Sequence, residues 1–168
     1  MSYQRERNKN TVKITSPLPD IEGVLRCVAT KPYRLVLDLT AAYEQIWIVP
    51  KHVDQSAMTT PDGNMVSLVL QMGDCNAPAT YQSLMNHIFS PYLGCFLNVY
   101  LDNMILYLDS LDDHIRHCKQ AMDVLRTEKL YLSKKKIQFL ATELKILGRI
   151  IDASGIRIDP EKVNGVLA

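Results

Sequence analysis

Two aspartates stand where apolar segments end, in positions that core packing alone does not explain. Asp38 follows residues 33–37, which are apolar except for Arg34, and Asp102 interrupts the mainly apolar stretch 96–107. A buried carboxylate costs several kcal/mol unless it is paired or binds a metal. Divalent cations such as Mg²⁺ prefer oxygen ligands, and two ions held by carboxylates support phosphoryl transfer. Asp38 and Asp102 therefore predict a metal site if the fold brings them together. The alternative is that each carboxylate caps a turn at a strand end.

The sequence around the two aspartates predicts strands that would carry both to one edge of a sheet. Residues 33–39 are predicted to form a strand that ends on its acidic residue. Residues 96–107 are predicted to form a buried β-hairpin with the charge of Asp102 at its tip. Because the two aspartates are far apart in the sequence, only tertiary structure can bring them together.

The other elements interleave helices and strands without a regular βα repeat, which predicts an α+β fold with an antiparallel sheet. Residues 1–13 are expected to be loosely held or extended, because they contain few apolar anchors. Helices are predicted after Asp20, from Pro78 and from Ser110 to Lys129, where Ser110 and Asp113 form a capping box. Further strands are predicted at 45–49, 55–60 and 65–70, with a hairpin over 145–158 and a final helix from Asp159.

Composition sets broad limits on what the chain can be. Its 168 residues are 47% apolar, which suits one compact domain or most of one. No apolar run reaches the roughly 18 residues of a membrane span, and residues 1–10 lack the apolar segment of a signal peptide. The net charge of +1 argues neither for nor against nucleic acid. The four cysteines show no zinc spacing, so we expect reduced thiols and an intracellular location, cytoplasmic or nuclear.

Five sequence blocks occur in the order and spacing of one protein family. They are Ser16-Pro17-Leu18-Pro19, Leu37-Asp38-Leu39 with Tyr43-Glu44-Gln45-Ile46, Gly73-Asp74-Cys75-Asn76-Ala77-Pro78-Ala79-Thr80-Tyr81-Gln82, Val99-Tyr100-Leu101-Asp102-Asn103 and Ile146-Leu147-Gly148. Together they resemble the reverse transcriptases of gypsy-type LTR retrotransposons. The resemblance covers residues 8–166, which is nearly the whole chain, and the long third block is its most specific part.

The resemblance implies a polymerase palm, a ferredoxin-like antiparallel sheet backed by helices, with a partial fingers subdomain and the thumb absent. Residues 1–32 and 50–80 would be fingers-side elements, residues 33–49 and 81–160 the palm, and residues 161–168 the start of the thumb connection. It also implies template-directed DNA synthesis with two Mg²⁺ ions. The partners would be an RNA or DNA template, a primer and dNTPs, with no membrane; the resemblance does not indicate an oligomeric state.

The same resemblance assigns the catalytic and metal-binding residues. Asp38 and Asp102 would be the metal-binding aspartates, and the backbone carbonyl of Leu39 would add a ligand. Asn103 falls at a third catalytic position, where the family has aspartate in its Tyr-x-Asp-Asp motif. Asparagine keeps the shape but loses a charge, and one charge pair near 4 Å is worth about 4 kcal/mol at an effective dielectric of about 20.

That energy corresponds to a rate loss of about 10³-fold if it acts fully in the transition state. We therefore expect an impaired active site in which the second metal is held more weakly. The missing parts of the fingers and thumb would weaken the grip on the duplex further. The alternative function is a non-catalytic remnant that binds nucleic acid or a protein partner.

The family pattern also marks residues around the substrate. Tyr43 would lie under the sugar and exclude a 2′-hydroxyl, unless it is a core tyrosine. Met72 and Gly73 would contact the nucleotide and template, unless Gly73 is simply a loop glycine. Leu147 and Gly148 would hold the primer end, unless they too are simply loop residues.

Three further features of the sequence have two interpretations each, and His87 has one. Lys134, Lys135 and Lys136 could contact phosphate or form a solvated edge. His114, His117 and Cys118 could hold a soft metal, although Cys118 belongs to the predicted buried stripe of its helix. Trp47 is expected to pack rather than to stack on a base, and His87 to be structural.

Overall fold

Four α-helices and nine strands make up the part of the chain that the computed structural model describes, residues 2–140 and 143–161. The helices are α1 (Ser2–Lys9), α2 (Ile21–Ala29), α3 (Ala77–Ile88) and α4 (Leu111–Thr127). The strands are β1 (Tyr33–Asp38), β2 (Met58–Thr60), β3 (Gly63–Met65), β4 (Leu97–Tyr100), β5 (Asn103–Leu108), β6 (Gln138–Phe139), β7 (Leu144–Ile146), β8 (Arg149–Asp152) and β9 (Gly155–Ile158). None of the described helices is long and apolar enough to cross a membrane.

The chain divides into two compact units. The first contains the described residues up to Pro17 together with Ala41–His87. The second contains Leu18–Thr40 and the described residues from Ile88 onward. Each unit is therefore built from two separate stretches of the sequence.

The second unit contains an antiparallel sheet with the strand order β4-β5-β1-β6. β1 pairs with β5 from Tyr33↔Leu108 to Asp38↔Asn103, and β4 pairs with β5 as a hairpin. The predicted strand around residue 35 and the predicted central hairpin are both confirmed. Both aspartates identified from the sequence lie at the same end of this sheet.

Side chains alternate between the two faces of the sheet, as strand geometry requires. Val36 and Ile105 are register partners, and both pack in a buried cluster with α2, β7 and β8. Leu35 and Leu37 point to the other face, where they line an apolar cavity together with Cys118 of α4. Burying each such aliphatic side chain contributes about 1.5–3 kcal/mol, so helices on both faces stabilise the central strands.

Helix starts were predicted with mixed success. The capping box is confirmed, since the Asp113 amide donates to Ser110 Oγ at 3.1 Å and Ser110 Oγ donates to Asp113 Oδ2 at 2.8 Å. Asp20 does occupy the N-cap position of α2, but its side chain makes no capping hydrogen bond. The predicted last hairpin forms β8 and β9. Its first strand was expected over 145–151, but a turn at Leu147 and Gly148 divides that range into β7 and β8. Most of the expected final helix lies outside the described residues.

The first unit differs most from the prediction. Residues 2–9 form α1, not an extended arm, and residues 50–56 form a 3₁₀ helix where part of a strand was expected. The predicted strands 45–49 and 65–70 pair through a single bridge, Trp47↔Val69. The sequence signal failed for residues 2–9 because the side chains of Gln4 and Asn8, rather than an apolar face, bond them to a distant loop.

Candidate active site

A tight turn at the tip of the β4–β5 hairpin presents Asp102. Tyr100 pairs with Asn103, so Leu101 and Asp102 are the two residues of the turn. Leu101 has a φ of 51°. A non-glycine residue with positive φ costs about 1–3 kcal/mol, and such strain concentrates at functional sites. The flanking strand pairs enforce this conformation and fix the position of the carboxylate.

The end of β1 meets this turn. Asp38 is the register partner of Asn103, and the amide of Leu39 donates to the Asp102 carbonyl at 3.1 Å. This bonding pattern makes Asp38 and Asn103 a non-hydrogen-bonded pair, in which the Cα atoms are about 4.5 Å apart and the side chains are closest. The structure thus brings together Asp38, Leu39, Asp102 and Asn103.

Each of the two carboxylates contacts a nitrogen donor from the same chain. Asn103 Nδ2 donates to Asp102 Oδ1 at 3.2 Å. The Lys136 ammonium lies 3.2 Å from Asp38 Oδ1 and 3.2 Å from Asp38 Oδ2. The four side chains therefore carry a formal charge of −1 at neutral pH, from two carboxylates and one ammonium.

Lys136 is a site residue that sequence reasoning left undecided within the lysine triplet. Its neighbours Lys134 and Lys135 are exposed, in keeping with the solvated interpretation. The contact depends on backbone pairing between residues 131–133 and the segment after β1, so no local pattern around the triplet could have revealed it.

The donor set suits a hard divalent cation only in part. Two carboxylates, the Leu39 carbonyl and the Asn103 amide oxygen are the kind of ligands that Mg²⁺ takes. Within residues 2–140 and 143–161, however, no group of three or more His, Cys, Asp or Glu side chains is placed to hold a metal. The residues present therefore fit one divalent ion better than two.

The residues expected to contact the nucleotide lie in the first unit. Tyr43 is half-buried, and its ring packs edge-on against the buried Tyr81 at 5.7 Å between centroids. Met72 is 79% exposed. Gly73 has a φ of 104°, and a Cβ there would clash with Gln4. The loop therefore requires glycine at this position whether or not a nucleotide binds.

Helix α1 holds the loop that carries Met72 and Gly73. Asn8 Nδ2 donates to the Gly73 carbonyl at 2.8 Å, and the Cys75 amide donates to Asn8 Oδ1 at 3.0 Å. Gln4 Nε2 donates to the Met72 carbonyl at 3.2 Å. These bonds correct the expectation of a loosely held N-terminal arm, because two amide side chains fix the segment without apolar anchors.

The predicted primer-end residues form the turn between β7 and β8. Leu147 has a φ of 50° and Gly148 a φ of 75°, and Ile146 pairs with Arg149 on either side of them. Two central residues with positive φ characterise a type I′ hairpin turn. The Gly148 carbonyl also accepts a hydrogen bond from the Asp159 amide at 3.1 Å.

The structure shows the surroundings of His114, Cys118 and Trp47, for which the sequence allowed two interpretations. His114 is fully buried in α4, 6.3 Å from the Tyr33 ring and 5.9 Å from the Phe139 ring, and Cys118 is also buried. These positions support core packing, and no three-residue soft-metal cluster occurs in the described part of the chain. Trp47 is 72% exposed, so the expectation that it is a packing residue is wrong. Its backbone pairs with Val69 through an isolated bridge.

Burial of His114 should make folding stability sensitive to mild acid. Desolvation, and then the nearby His117, lower the pKa of His114, and neither ring nitrogen has a hydrogen-bond partner among the described residues. The unfolded chain, with a histidine pKa of about 6.5, therefore takes up a proton that the folded chain excludes. Stability should be complete above pH 6.5 and fall below it, at up to about 1.4 kcal/mol per pH unit.

Urea unfolding at pH 7.5 and 5.0 tests this prediction. His114→Leu should lose less stability between the two pH values than the wild-type chain. Part of the pH dependence should remain, because burial also lowers the pKa of His117. The exposed His52 provides the matched control as His52→Gln. An acid loss that is the same in His114→Leu and wild type would contradict the prediction.

Comparisons with known proteins show the family of the chain and its fold. A family model described as reverse transcriptase (RNA-dependent DNA polymerase) matches residues 2–151. The chain is 31% identical over 159 residues to the retrovirus-related Pol polyprotein from transposon opus of Drosophila melanogaster, and 30% identical over 164 residues to that from transposon 297 of the same organism. These matches cover 95% and 98% of the chain but 16% of each polyprotein. The chain thus spans about one sixth of the length of these relatives.

Solved structures give the same fold. The foamy viral protease-reverse transcriptase in complex with double-stranded DNA matches with a TM-score of 0.87 at 21% identity, covering 98% of this chain and 29% of that one. The complex of the foamy viral enzyme with an RNA/DNA hybrid matches with a TM-score of 0.85, covering 97% of this chain and 22% of that one. The predicted α+β class, with antiparallel sheets and helices of the palm and fingers type, is confirmed.

Proposed function

Because the chain belongs to the reverse transcriptase family of retrotransposon polyproteins, we propose that it is the palm-centred core of an enzyme that synthesises DNA. The substrates would be dNTPs, added to a primer on an RNA or DNA template. The observation that carries the proposal is that the ends of β1 and the β4–β5 hairpin bring Asp38 beside Asp102. The finer division into fingers, palm and thumb connection by residue number stays a prediction.

The chemistry is assigned to the residues at this end of the sheet. Asp38, Asp102 and the Leu39 carbonyl would hold the divalent metal. When bound, the metal would activate the primer hydroxyl and stabilise the charge on the leaving pyrophosphate. Asp102 is oriented by the amide of Asn103, which supplies a hydrogen bond in place of a third charge.

The other predicted site residues have supporting roles. Tyr43 would contact the sugar, and the Met72–Gly73 backbone, held by α1, would face the nucleotide. The turn of Leu147 and Gly148 would hold the primer end. These roles are supported by the family match over residues 2–151 and by the fixed conformations of both loops.

Magnesium-dependent primer extension tests the proposal, with template–primer binding measured separately by fluorescence anisotropy. The wild-type chain should extend weakly, and Asp102→Ala should abolish extension while binding stays unchanged. Asp112→Ala removes an exposed carboxylate from α4 and is the matched control. The polymerase proposal fails if wild-type extension does not exceed that of Asp102→Ala at any magnesium concentration.

A second candidate function is nucleic-acid or protein binding without catalysis. One observation favours it: nitrogen donors of the chain already contact both candidate metal ligands, Asn103 on Asp102 and Lys136 on Asp38. Template–primer binding that persists without any extension in the same assay would support a nucleic-acid-binding role.

A further inference from the structure

Lys136 makes the closest charge contact at the candidate active site. Its ammonium is 3.2 Å from both oxygens of the Asp38 carboxylate. The Asp38 side chain is 12% exposed, whereas that of Lys136 is 64% exposed. The lysine therefore reaches from solvent onto a nearly buried carboxylate, and the ammonium is the only part of the pair that can leave easily.

Backbone pairing places this lysine beside the end of β1. The Thr40 amide donates to the Tyr131 carbonyl at 3.1 Å, and the Ser133 amide donates to the Asp38 carbonyl at 2.8 Å. The Lys136 amide then donates to the Ser133 carbonyl at 3.1 Å, which turns the chain back toward Asp38. Three hydrogen bonds thus fix the base of the side chain, while its long stem remains free to choose another rotamer.

An ammonium in this position and a divalent ion on Asp38 compete for the same carboxylate. A metal ligand must offer a free oxygen lone pair, and Lys136 lies within 3.2 Å of both oxygens of Asp38. A divalent ion beside a retained ammonium would also be repelled at short range. Asn103 adds no charge that could offset this competition.

We propose that Lys136 is a built-in counter-cation of the site, which competes with divalent metal for Asp38 and must move away before the metal binds there. The inference rests on the proposed function in one respect, that Asp38 is a metal ligand. Solvent at the exposed ammonium weakens its attraction to Asp38, and repulsion between the ammonium and the metal ion adds to the competition. Removing the ammonium should therefore tighten metal binding about threefold to tenfold.

Manganese titration followed by electron paramagnetic resonance tests the competition without any need for polymerase activity. Mn²⁺ suits the same oxygen ligands as Mg²⁺ and reports free and bound ion directly. The four chains to compare are the wild type, Lys136→Met, Lys135→Met and Asp38→Asn. Methionine keeps an unbranched stem of similar length, and Lys135→Met removes the same charge one residue away from the contact.

The expected result is a three- to tenfold lower Mn²⁺ dissociation constant for Lys136→Met, no change for Lys135→Met and loss of the site in Asp38→Asn. The inference is overturned if Lys136→Met binds like the wild type, or if Lys135→Met tightens binding equally, since the effect would then be general charge. Binding that is identical in Asp38→Asn and Lys136→Met, or absent from every chain, overturns the metal assignment of the proposed function as well. Retained Asp38-dependent binding without a Lys136 effect overturns the inference alone.

Discussion

Asn103→Asp should raise magnesium-dependent primer extension by about 10- to 1,000-fold over the wild-type chain. The substitution restores a carboxylate at the register partner of Asp38 and beside Asp102. One pair of unit charges near 4 Å is worth about 4 kcal/mol at an effective dielectric of about 20, which sets the scale of the effect. If that energy is expressed fully in the transition state, the gain is about 10³-fold, and it is smaller if part of it stabilises the bound substrate equally.

The same substitution should make folding depend on metal. Without a divalent ion, a third carboxylate beside Asp38 and Asp102 adds like-charge repulsion and removes the amide donor to Asp102. The thermal midpoint of Asn103→Asp should therefore lie below that of the wild type in EDTA and rise more steeply on addition of Mg²⁺. The thermal midpoint does not depend on catalysis. It therefore shows whether the variant binds metal even if the variant does not extend a primer.

Asn64→Asp is the matched control for this pair of measurements. Asn64 is exposed in the β2–β3 hairpin, and its Oδ1 accepts a hydrogen bond from Thr59 at 2.9 Å, which an aspartate can also accept. Extension and metal-dependent stability should match the wild type. A gain in Asn64→Asp similar to that in Asn103→Asp would show that added negative charge, and not the site, is responsible.

The parts of the fold that were predicted correctly depend on short-range sequence patterns. The apolar run of β1, the interrupted hairpin with Asp102 at its tip and the Ser110 capping box each encode their own structure within a few residues. Their chemistry also indicates the candidate site, because a buried carboxylate is costly unless it is paired or binds a metal. The family resemblance then predicted that Asp38 and Asp102 belong to one site, which no local sequence pattern shows.

The parts that were missed depend on contacts between distant polar groups. α1 is fixed by the amides of Gln4 and Asn8 on a loop more than sixty residues away, so its low apolar content suggested an extended arm. Lys136 looked equivalent to Lys134 and Lys135 until strand pairing placed it on Asp38. Trp47 lies in an alternating apolar segment that predicts burial, but a ribbon with a single bridge leaves it exposed.

Arg34→Met should lower the free energy of unfolding by about 3–5 kcal/mol, a large part of the roughly 5–15 kcal/mol that stabilises a typical domain. Arg34 is a buried residue of β1 whose guanidinium caps the end of α2. Its Nε donates to the carbonyls of Val28 at 3.0 Å and Lys31 at 2.7 Å, and its Nη2 donates to that of Ala29 at 2.9 Å. The last carbonyls of a helix have no partners within the helix and carry partial negative charge.

Removing the guanidinium leaves these carbonyls without their charged donor in a site that water hardly reaches, and each such bond is worth about 1.5–3 kcal/mol before non-additivity. Burial lowers the pKa of Arg34, and the nearby Asp152 opposes that effect. The buried guanidinium stays charged, and its hydrogen bonds to three backbone carbonyls offset the cost of desolvation. Arg34→Lys should recover only part of the loss, because an ammonium cannot reproduce the planar fork of donors.

Urea unfolding followed by circular dichroism measures the loss, and Arg26→Met is the control. Arg26 is exposed in the last turn of the same helix, where its removal should change stability by no more than about 0.5 kcal/mol. Because α2 contributes Val24, Leu25 and Val28 to the core against β7 and β8, the Arg34 variant should also expose this core to hydrogen exchange. Equal unfolding free energies for Arg34→Met and Arg26→Met would mean that apolar packing, without the guanidinium cap, holds α2 against the sheet.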